Sequence, residues 1–159
     1  MAKFTLELPF AIIDDVEFLN KNAEKIFGDG TKAGAEVVMS EIRSRLPDPR
    51  FADKLKITRV YRTPSDDGIN TKVYLSGYLP FSDPNRKYFA RRGKQGGQVY
   101  KTTKGVPVEF LANLYEYGRS ENPWPKKPFL RKAFGQKTKI EKAMKAEIKK
   151  ASGGLIDDD

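Results

Sequence analysis

The spacing of apolar residues changes several times along the chain. Apolar and polar residues alternate over residues 3–8, which predicts a half-buried strand that ends at Pro9. Beyond it, apolar residues recur at three- and four-residue spacing, which predicts helices. The first helix is expected to begin at Asp14 or Asp15, both good N-caps, and to end at the glycine-rich segment 28–30.

A second helix is predicted from Thr31, its N-cap, to Leu46, because Pro47 follows and stops it. The alternative is one long kinked helix that tolerates both Gly28 and Gly30. In either case the aliphatic stripe is expected to be core, since one face carries Ala35, Val38, Met39, Ile42 and Leu46.

Two alternating runs predict a β-hairpin in the middle of the chain. Residues 55–62 and residues 69–76 each alternate, and Asp67-Gly68 lies between them. Asp-Gly between two such runs is a strong hairpin signal, because both residues tolerate the positive φ of a tight turn.

The last third predicts a corner followed by a helix. Within Val108–Phe134, a strand or short helix stops at Gly118, and a proline-rich corner holding Trp124 leads to a new helix start. Apolar residues then follow helical spacing, with Gly135 as a weak point, at Leu130, Ala133, Phe134, Ile140, Met144, Ile148 and Ala151.

These elements predict an α+β fold. N-terminal helices are expected to pack on a small antiparallel β-sheet, with a protruding basic hairpin arm and a C-terminal helix. At 159 residues, one α+β domain is predicted over residues 1–152, with residues 81–105 as a basic arm or loop insertion. Residues 153–159 are predicted to form a flexible acidic tail.

The composition argues against the commonest catalytic chemistry. The chain has no cysteine and no histidine, which removes disulfides, thiolate or histidine metal sites and the usual nucleophilic triads. We therefore expect no enzyme activity and no cofactor or metal. A metal-dependent nuclease is the remaining enzymatic alternative, and its only acidic candidates near the basic arm are Glu109, Glu116 and Glu121.

The net charge of +9 is concentrated in the second half of the chain. Residues 81–105 hold seven basic residues against one acidic residue, with aromatic residues between them. This pattern favours phosphate contact or subunit contact, and contact with a neighbouring subunit is the preferred interpretation. The nucleic-acid or channel-facing candidates are Arg86, Lys87, Arg91, Arg92, Lys94 and Lys101. The intersubunit-contact candidates are Tyr88, Phe89, Tyr100 and Trp124.

The N-terminal residues lack the apolar run of a signal peptide, and no segment reaches the length of a membrane span. We therefore expect a protein made and kept in the cytoplasm, or in a particle assembled there, with no membrane partner.

Two short strings near the C-terminus carry a family resemblance. Tyr115–Gly118 reads YEYG, and after the proline corner residues 128–133 read PFLRKA. This order resembles the tail-component proteins of long-tailed bacteriophages that belong to the neck and tail-completion module. The resemblance covers about residues 108–151. The chain departs from the family in its basic 81–105 segment, which looks like an insertion, and at Lys132, where the family often has proline.

The resemblance implies a structural virion protein that forms a ring, expected to be sixfold, at the head–tail junction. Its implied partners are copies of itself, the head connector, and the tail-tube or tail-terminator proteins, and DNA would pass through the ring without sequence-specific recognition. Its implied location is the virion tail or neck, after assembly in the host cytoplasm. The alternative is a non-specific nucleic-acid-binding protein that uses residues 81–105.

Overall fold

The protein is a mixed α+β structure, as the sequence predicts. A computed structural model describes residues 10–65, 67–80, 88–91, 99–102, 105–118 and 126–156. All strand pairs in the described residues are antiparallel. The strand predicted at residues 3–8 lies outside the described residues. No described helix combines the length and the apolar character that crossing a bilayer requires.

The elements alternate between helices and very short strands. The elements in chain order are α1 (Phe10–Ser44), a 3-10 helix (Pro49–Lys54), β1 (Leu55–Ile57), β2 (Tyr61–Thr63), β3 (Gly68–Asn70), β4 (Val73–Leu75), β5 (Tyr78–Leu79), β6 (Tyr88–Arg91), β7 (Val99–Thr102), β8 (Val106–Pro107), α2 (Val108–Tyr117), α3 (Leu130–Phe134) and α4 (Lys137–Ala151). In the described residues the strands form four two-stranded antiparallel ladders, β1–β4, β2–β3, β5–β8 and β6–β7, in place of one small sheet.

Helix α1 contains both helices predicted for the N-terminal third. It begins at Phe10, ahead of the expected caps Asp14 and Asp15, and continues through Gly28 and Gly30. The prediction of two helices is therefore wrong, and the alternative of one long helix is confirmed.

Gly30 and Gly34 of α1 make room for α4. A Cβ on Gly30 would lie 2.6 Å from Cγ1 of Ile148, and a Cβ on Gly34 would lie 2.7 Å from Cγ of Met144. Side-chain atoms do not approach one another that closely in a packed interior. Glycine costs about 1 kcal/mol of helix propensity relative to alanine, and close packing of α4 on α1 offsets this cost.

The chain divides into two compact units, each built from segments distant in sequence. Unit 1 comprises the described residues of Met1–Val37, Arg59–Lys72 and Lys137–Asp159, and unit 2 comprises those of Val38–Thr58 and Val73–Gln136. Helix α1 contributes residues to both units. The single-domain organisation proposed from the sequence stays a prediction.

The central hairpin is confirmed as two antiparallel ladders, in which β1 pairs with β4 and β2 pairs with β3. Three residues separate β1 from β2, whereas two separate β3 from β4, so the pairing register shifts by one residue from one ladder to the next. The middle residues of β1 and β2, Lys56 and Arg62, are both exposed, as the alternation predicts.

The predicted C-terminal helix is two helices. Helix α3 ends at Phe134 and α4 begins at Lys137. The backbone N–H of Gln136 donates to the carbonyl oxygen of Ala133 at 3.2 Å, a tightened last turn. The break falls beside Gly135, the weak point expected from the sequence.

A Schellman motif closes α4 at its C-terminal end. The N–H of Gly154 donates to the carbonyl oxygen of Lys149 at 2.8 Å, and the N–H of Gly153 donates to that of Lys150 at 3.2 Å. Gly153 has a φ of 68°, the left-handed conformation that this motif requires. Residues 153–156, placed in the tail by the sequence analysis, thus form the cap and its continuation, and residues 157–159 lie outside the described residues.

Replacing Gly30 by Ala tests the packing of α4 on α1. The added methyl group meets Cγ1 and Cδ1 of Ile148, and overpacking of this kind costs about 1–3 kcal/mol. We expect a lower free energy of unfolding in urea despite the gain of about 1 kcal/mol in helix propensity. In a double-mutant cycle with Ile148→Val, the loss caused by Gly30→Ala should shrink. A stabilised Gly30→Ala variant would contradict this account.

Candidate functional site

Helix α2 carries most of YEYG, the first of the two strings on which the family resemblance rests, and places an acidic residue on its buried face. The two strings, YEYG and PFLRKA, are called the signature below. Val108 and Ala112 are buried on this face, and Glu116 follows at the same four-residue spacing. The residue Glu116 is only 1% exposed. A buried carboxylate is costly unless hydrogen bonds and an opposite charge compensate it.

The carboxylate of Glu116 caps the N-terminus of α3, which carries the second half of the signature. Its Oε2 accepts the backbone N–H groups of Phe129 at 2.9 Å and Leu130 at 3.0 Å. Its Oε1 accepts the backbone N–H of Arg131 at 3.2 Å and the side-chain Nε–H of Arg131 at 2.8 Å. One side chain thus accepts hydrogen bonds from three backbone N–H groups that have no helical partner at the start of α3. The positive charge of Arg131 balances the charge of the carboxylate.

These contacts determine the ionisation of Glu116. Burial by itself raises the pKa of the carboxyl group. The side-chain hydrogen bond from Arg131 and the backbone hydrogen bonds from Phe129, Arg131 and Leu130 outweigh that effect, so the pKa of Glu116 lies below its ordinary value. Glu116 is therefore a structural anion at neutral pH.

Aromatic residues surround this ion pair. The guanidinium group of Arg131 lies 5.1 Å from the ring centroid of Tyr117, a cation–π arrangement. The buried Phe129 ring lies 6.3 Å from Phe51, and Phe51 contacts Tyr115 edge-to-face at 5.9 Å. The signature residues of α2 and α3 therefore contact one another through a shared aromatic cluster.

The two halves of the signature are also joined through the backbone. Gly118 ends α2 with a φ of 79° and a ψ of −175°, a conformation that is almost confined to glycine. Beyond the corner, the N–H of Lys127 donates to the carbonyl oxygen of Tyr115 at 2.8 Å. The chain thus returns to the end of α2 just before α3 begins. We call Tyr115–Gly118 together with Pro128–Ala133 the signature corner.

A second capped turn positions Phe51 in the aromatic cluster. Asp48 accepts the backbone N–H of Arg50 at 2.9 Å and binds the Arg50 guanidinium through both of its carboxylate oxygens, with a shortest distance of 2.7 Å. The side-chain hydrogen bond from Arg50 is the main cause that holds the pKa of Asp48 below its ordinary value. This cap starts the 3-10 helix in which Phe51 is fully buried.

An apolar groove of about 260 Å³ lies beside the signature corner in unit 2. Tyr74 and Phe134 line it, and both remain substantially exposed. Its other lining residues are Ile42, Leu55, Val73, Leu75, Glu109, Ala112, Asn113 and Leu130. Exposed apolar surface of this kind is typical of proteins that associate with other chains.

The basic segment contains a ladder, in agreement with the expected hairpin. Strands β6 and β7 are antiparallel, with Phe89 opposite Lys101, Tyr100 opposite Ala90, and Arg91 and Tyr88 also within the paired register. The backbone thus brings five of the predicted site residues together. The remaining predicted site residues, Arg86, Lys87, Arg92, Lys94 and Trp124, lie outside the described residues.

The acidic residues considered for a nuclease do not converge in the described structure. Glu109 is exposed, the oxygens of Glu116 are occupied by α3, and Glu121 lies outside the described residues. Among the described residues, no three acidic side chains are grouped so that they could hold a metal ion. The capping role of Glu116 was missed from the sequence, although its spacing from Val108 and Ala112 places a carboxylate on an apolar face.

Comparisons of the chain with known protein families, with characterised proteins and with solved structures found no match.

Substitution of Glu116 tests the cap of α3. Glu116→Gln keeps the size but loses the charge, so the free energy of unfolding in urea should fall by about 2 kcal/mol, the typical loss for hydrogen bonds to a charged group. Glu116→Ala should cost more, because three backbone donors lose their acceptor. The matched control is Glu109→Gln on the exposed face of α2, which should change stability by less than about 0.5 kcal/mol. Equal effects at the two positions would contradict the cap.

The pH dependence of stability tests the charge of Glu116. Because the folded-state pKa is below that of the unfolded chain, the contribution is fully present above about pH 4.3, the ordinary value for glutamate. It is lost as the pH falls through the lowered pKa. Between pH 6 and pH 2.5 the melting temperature of the native protein should therefore fall more steeply than that of Glu116→Gln. Parallel curves would show that this carboxylate does not titrate with unfolding.

Proposed function

We propose that the protein is a structural component of a phage neck or tail, which forms a ring at the head–tail junction and lets DNA pass. It acts by assembly and carries out no catalysis. Its partners are copies of itself, the head connector, and the tail-tube or tail-terminator subunits, and its location is the virion after assembly in the host cytoplasm.

One observation carries this proposal: the two halves of the tail-component signature form a single structural unit. Glu116 from the first half binds three backbone amides and one side chain of the second half. These mutual contacts are what a structural corner shared by a family would require, and they support the resemblance.

The chemistry of the corner also favours assembly over catalysis. Its two charged side chains, Glu116 and Arg131, form an ion pair with each other, and Glu116 also accepts backbone hydrogen bonds from α3. The adjoining groove is apolar, with Tyr74 and Phe134 exposed along it. Such a surface suits contact with another protein chain better than the binding of a polar substrate.

The alternative function is non-specific nucleic-acid binding through residues 81–105. The observation that favours it is the β6–β7 ladder, which brings Arg91 and Lys101 into one hairpin within the most basic segment of the chain. Loosely spaced cations of this kind bind phosphate without reading sequence, and their affinity falls steeply with salt.

Native mass spectrometry and negative-stain electron microscopy test the proposed assembly. The purified protein should form closed rings by itself, or on addition of the connector or tail-tube subunits of the same phage. Rings should persist in Arg86→Ala/Lys87→Ala/Arg91→Ala/Arg92→Ala, because assembly does not depend on DNA. A protein that stays monomeric and binds neither subunit, yet binds DNA with strong salt dependence through these four residues, would establish the alternative instead.

A further inference from the structure

An apolar stripe runs along the N-terminal half of α1 and is largely exposed. Val16 is 59% exposed, Ile12 47% and Phe27 44%. The spacing of three and four residues places the stripe on one face of the helix. Its members are Ile12, Ile13, Val16, Leu19, Ala23 and Phe27. Exposed apolar side chains in one contiguous row indicate a contact surface.

This stripe continues the face on which α4 packs. Gly30 and Gly34 extend the same three- and four-residue spacing beyond Phe27, and there the face meets Ile148 and Met144. Closer to the N-terminus, Ile156 reaches the stripe at a groove of about 410 Å³ lined also by Val16, Leu19, Asn20, Ala23, Ile26 and Phe27. The stripe therefore lies on the face of α1 that packs against another helix, and its part near Ile156 borders an open groove.

Acidic side chains flank the stripe on both edges. Asp15 lies three residues after Ile12 on one edge, while Glu17 and Glu24 follow the other edge. All three are exposed. Lys21 and Lys25 fall on the opposite side of the helix, because they are displaced by about half a turn from the stripe. A partner of this surface should therefore be basic.

The outer face of α4 has the complementary character. Ile140, Met144 and Ile148 face α1, so the opposite side of α4 carries Lys142, Lys145 and Lys149 in one row. These lysines line a shallow groove of about 400 Å³ together with Thr138, Glu141 and Ala146. Lysine stems present apolar methylene groups while their ammonium groups stay in water. We call this row the lysine ridge.

We propose that the acidic-edged stripe of α1 in one copy docks along the lysine ridge of α4 in the next copy. The two surfaces are different, so the contact is heterologous and repeats from copy to copy, which is what a ring requires. Opposite charges at the edges fix the register and steer association, while the apolar residues between them are buried. This inference rests on the proposed function and names the surfaces through which the ring forms.

A charge exchange between the two surfaces tests the docking. Variant A carries Asp15→Lys, Glu17→Lys and Glu24→Lys, and variant B carries Lys142→Glu, Lys145→Glu and Lys149→Glu. Each variant alone sets like charges against each other at every contact, so self-association should weaken at least tenfold. In an equimolar mixture every contact between A and B again joins opposite charges. Native mass spectrometry should then find assemblies that contain A and B in equal numbers.

Two controls accompany the exchange. Arg43→Glu, Lys56→Glu and Lys126→Glu make the same change in net charge as variant B on exposed residues of unit 2 outside the signature corner, and this variant should assemble like the native protein. Circular dichroism and thermal unfolding check that A and B fold. If A is unfolded, the neutral variant Asp15→Asn/Glu17→Gln/Glu24→Gln replaces it, with a smaller but measurable loss of association.

The outcomes separate this inference from the proposed function. If the native protein assembles and A or B alone assembles equally well, the docking is overturned while ring formation stands. A mixture of A and B that fails to assemble also overturns the docking, because the loss is then not due to charge pairing. If B loses DNA binding but keeps self-association, the lysine ridge serves nucleic acid and the docking is again overturned. A native protein that neither self-associates nor joins connector or tail-tube subunits overturns the proposed function as well.

Discussion

The hydrogen bonding of the buried Glu116 carboxylate is the constraint on which the signature corner depends. A carboxylate that is 1% exposed cannot remain ionised without donors, and α3 supplies them from its first turn and from Arg131. In return, a helix of five residues, too short to be stable in isolation, receives a cap and an anchor. Phe129 and Ala133 are then held in the core of unit 2. Glu116 and the PFLR string depend on each other, because the string supplies hydrogen-bond donors and Glu116 supplies their acceptor.

Much of the fold follows from local patterns. The alternating runs around Asp67-Gly68 predict the hairpin, and the helical spacing predicts α1 and α4, since these signals depend on neighbours along the chain. The glycines of α1 show where local reasoning fails. Gly28 and Gly30 are residues typical of a helix end, yet the helix continues, and Val60 packs where a side chain of residue 28 would lie while Ile148 of α4 packs where a side chain of residue 30 would lie. Whether a glycine ends a helix or allows another segment to pack closely on it depends on a partner that is distant in sequence.

The site was less predictable than the fold. Glu116 was considered as a metal ligand because a sequence displays acidic residues but not their hydrogen-bond donors, and those donors are backbone amides that α3 positions. The one-residue shift in pairing between the two ladders of the hairpin was equally hidden, since the residue types along a strand do not specify its register. The ladder that joins Phe89 with Lys101 was foreseeable as a hairpin, but its register was not.

The packing of α4 on α1 has a consequence for biosynthesis. Gly30 leaves the ribosome about 120 residues before Ile148, an interval of about 6 to 24 s at a translation rate of about 5 to 20 residues per second. During this interval the nascent helix has no α4 to cover Gly30 and Gly34, and the apolar row ahead of them is exposed to other nascent chains and to chaperones. Contacts of such long sequence separation also form slowly. Unit 1 is therefore the last to fold, because it needs α4. A growing chain presents its lysine ridge only once α4 has been synthesised and can pack on α1.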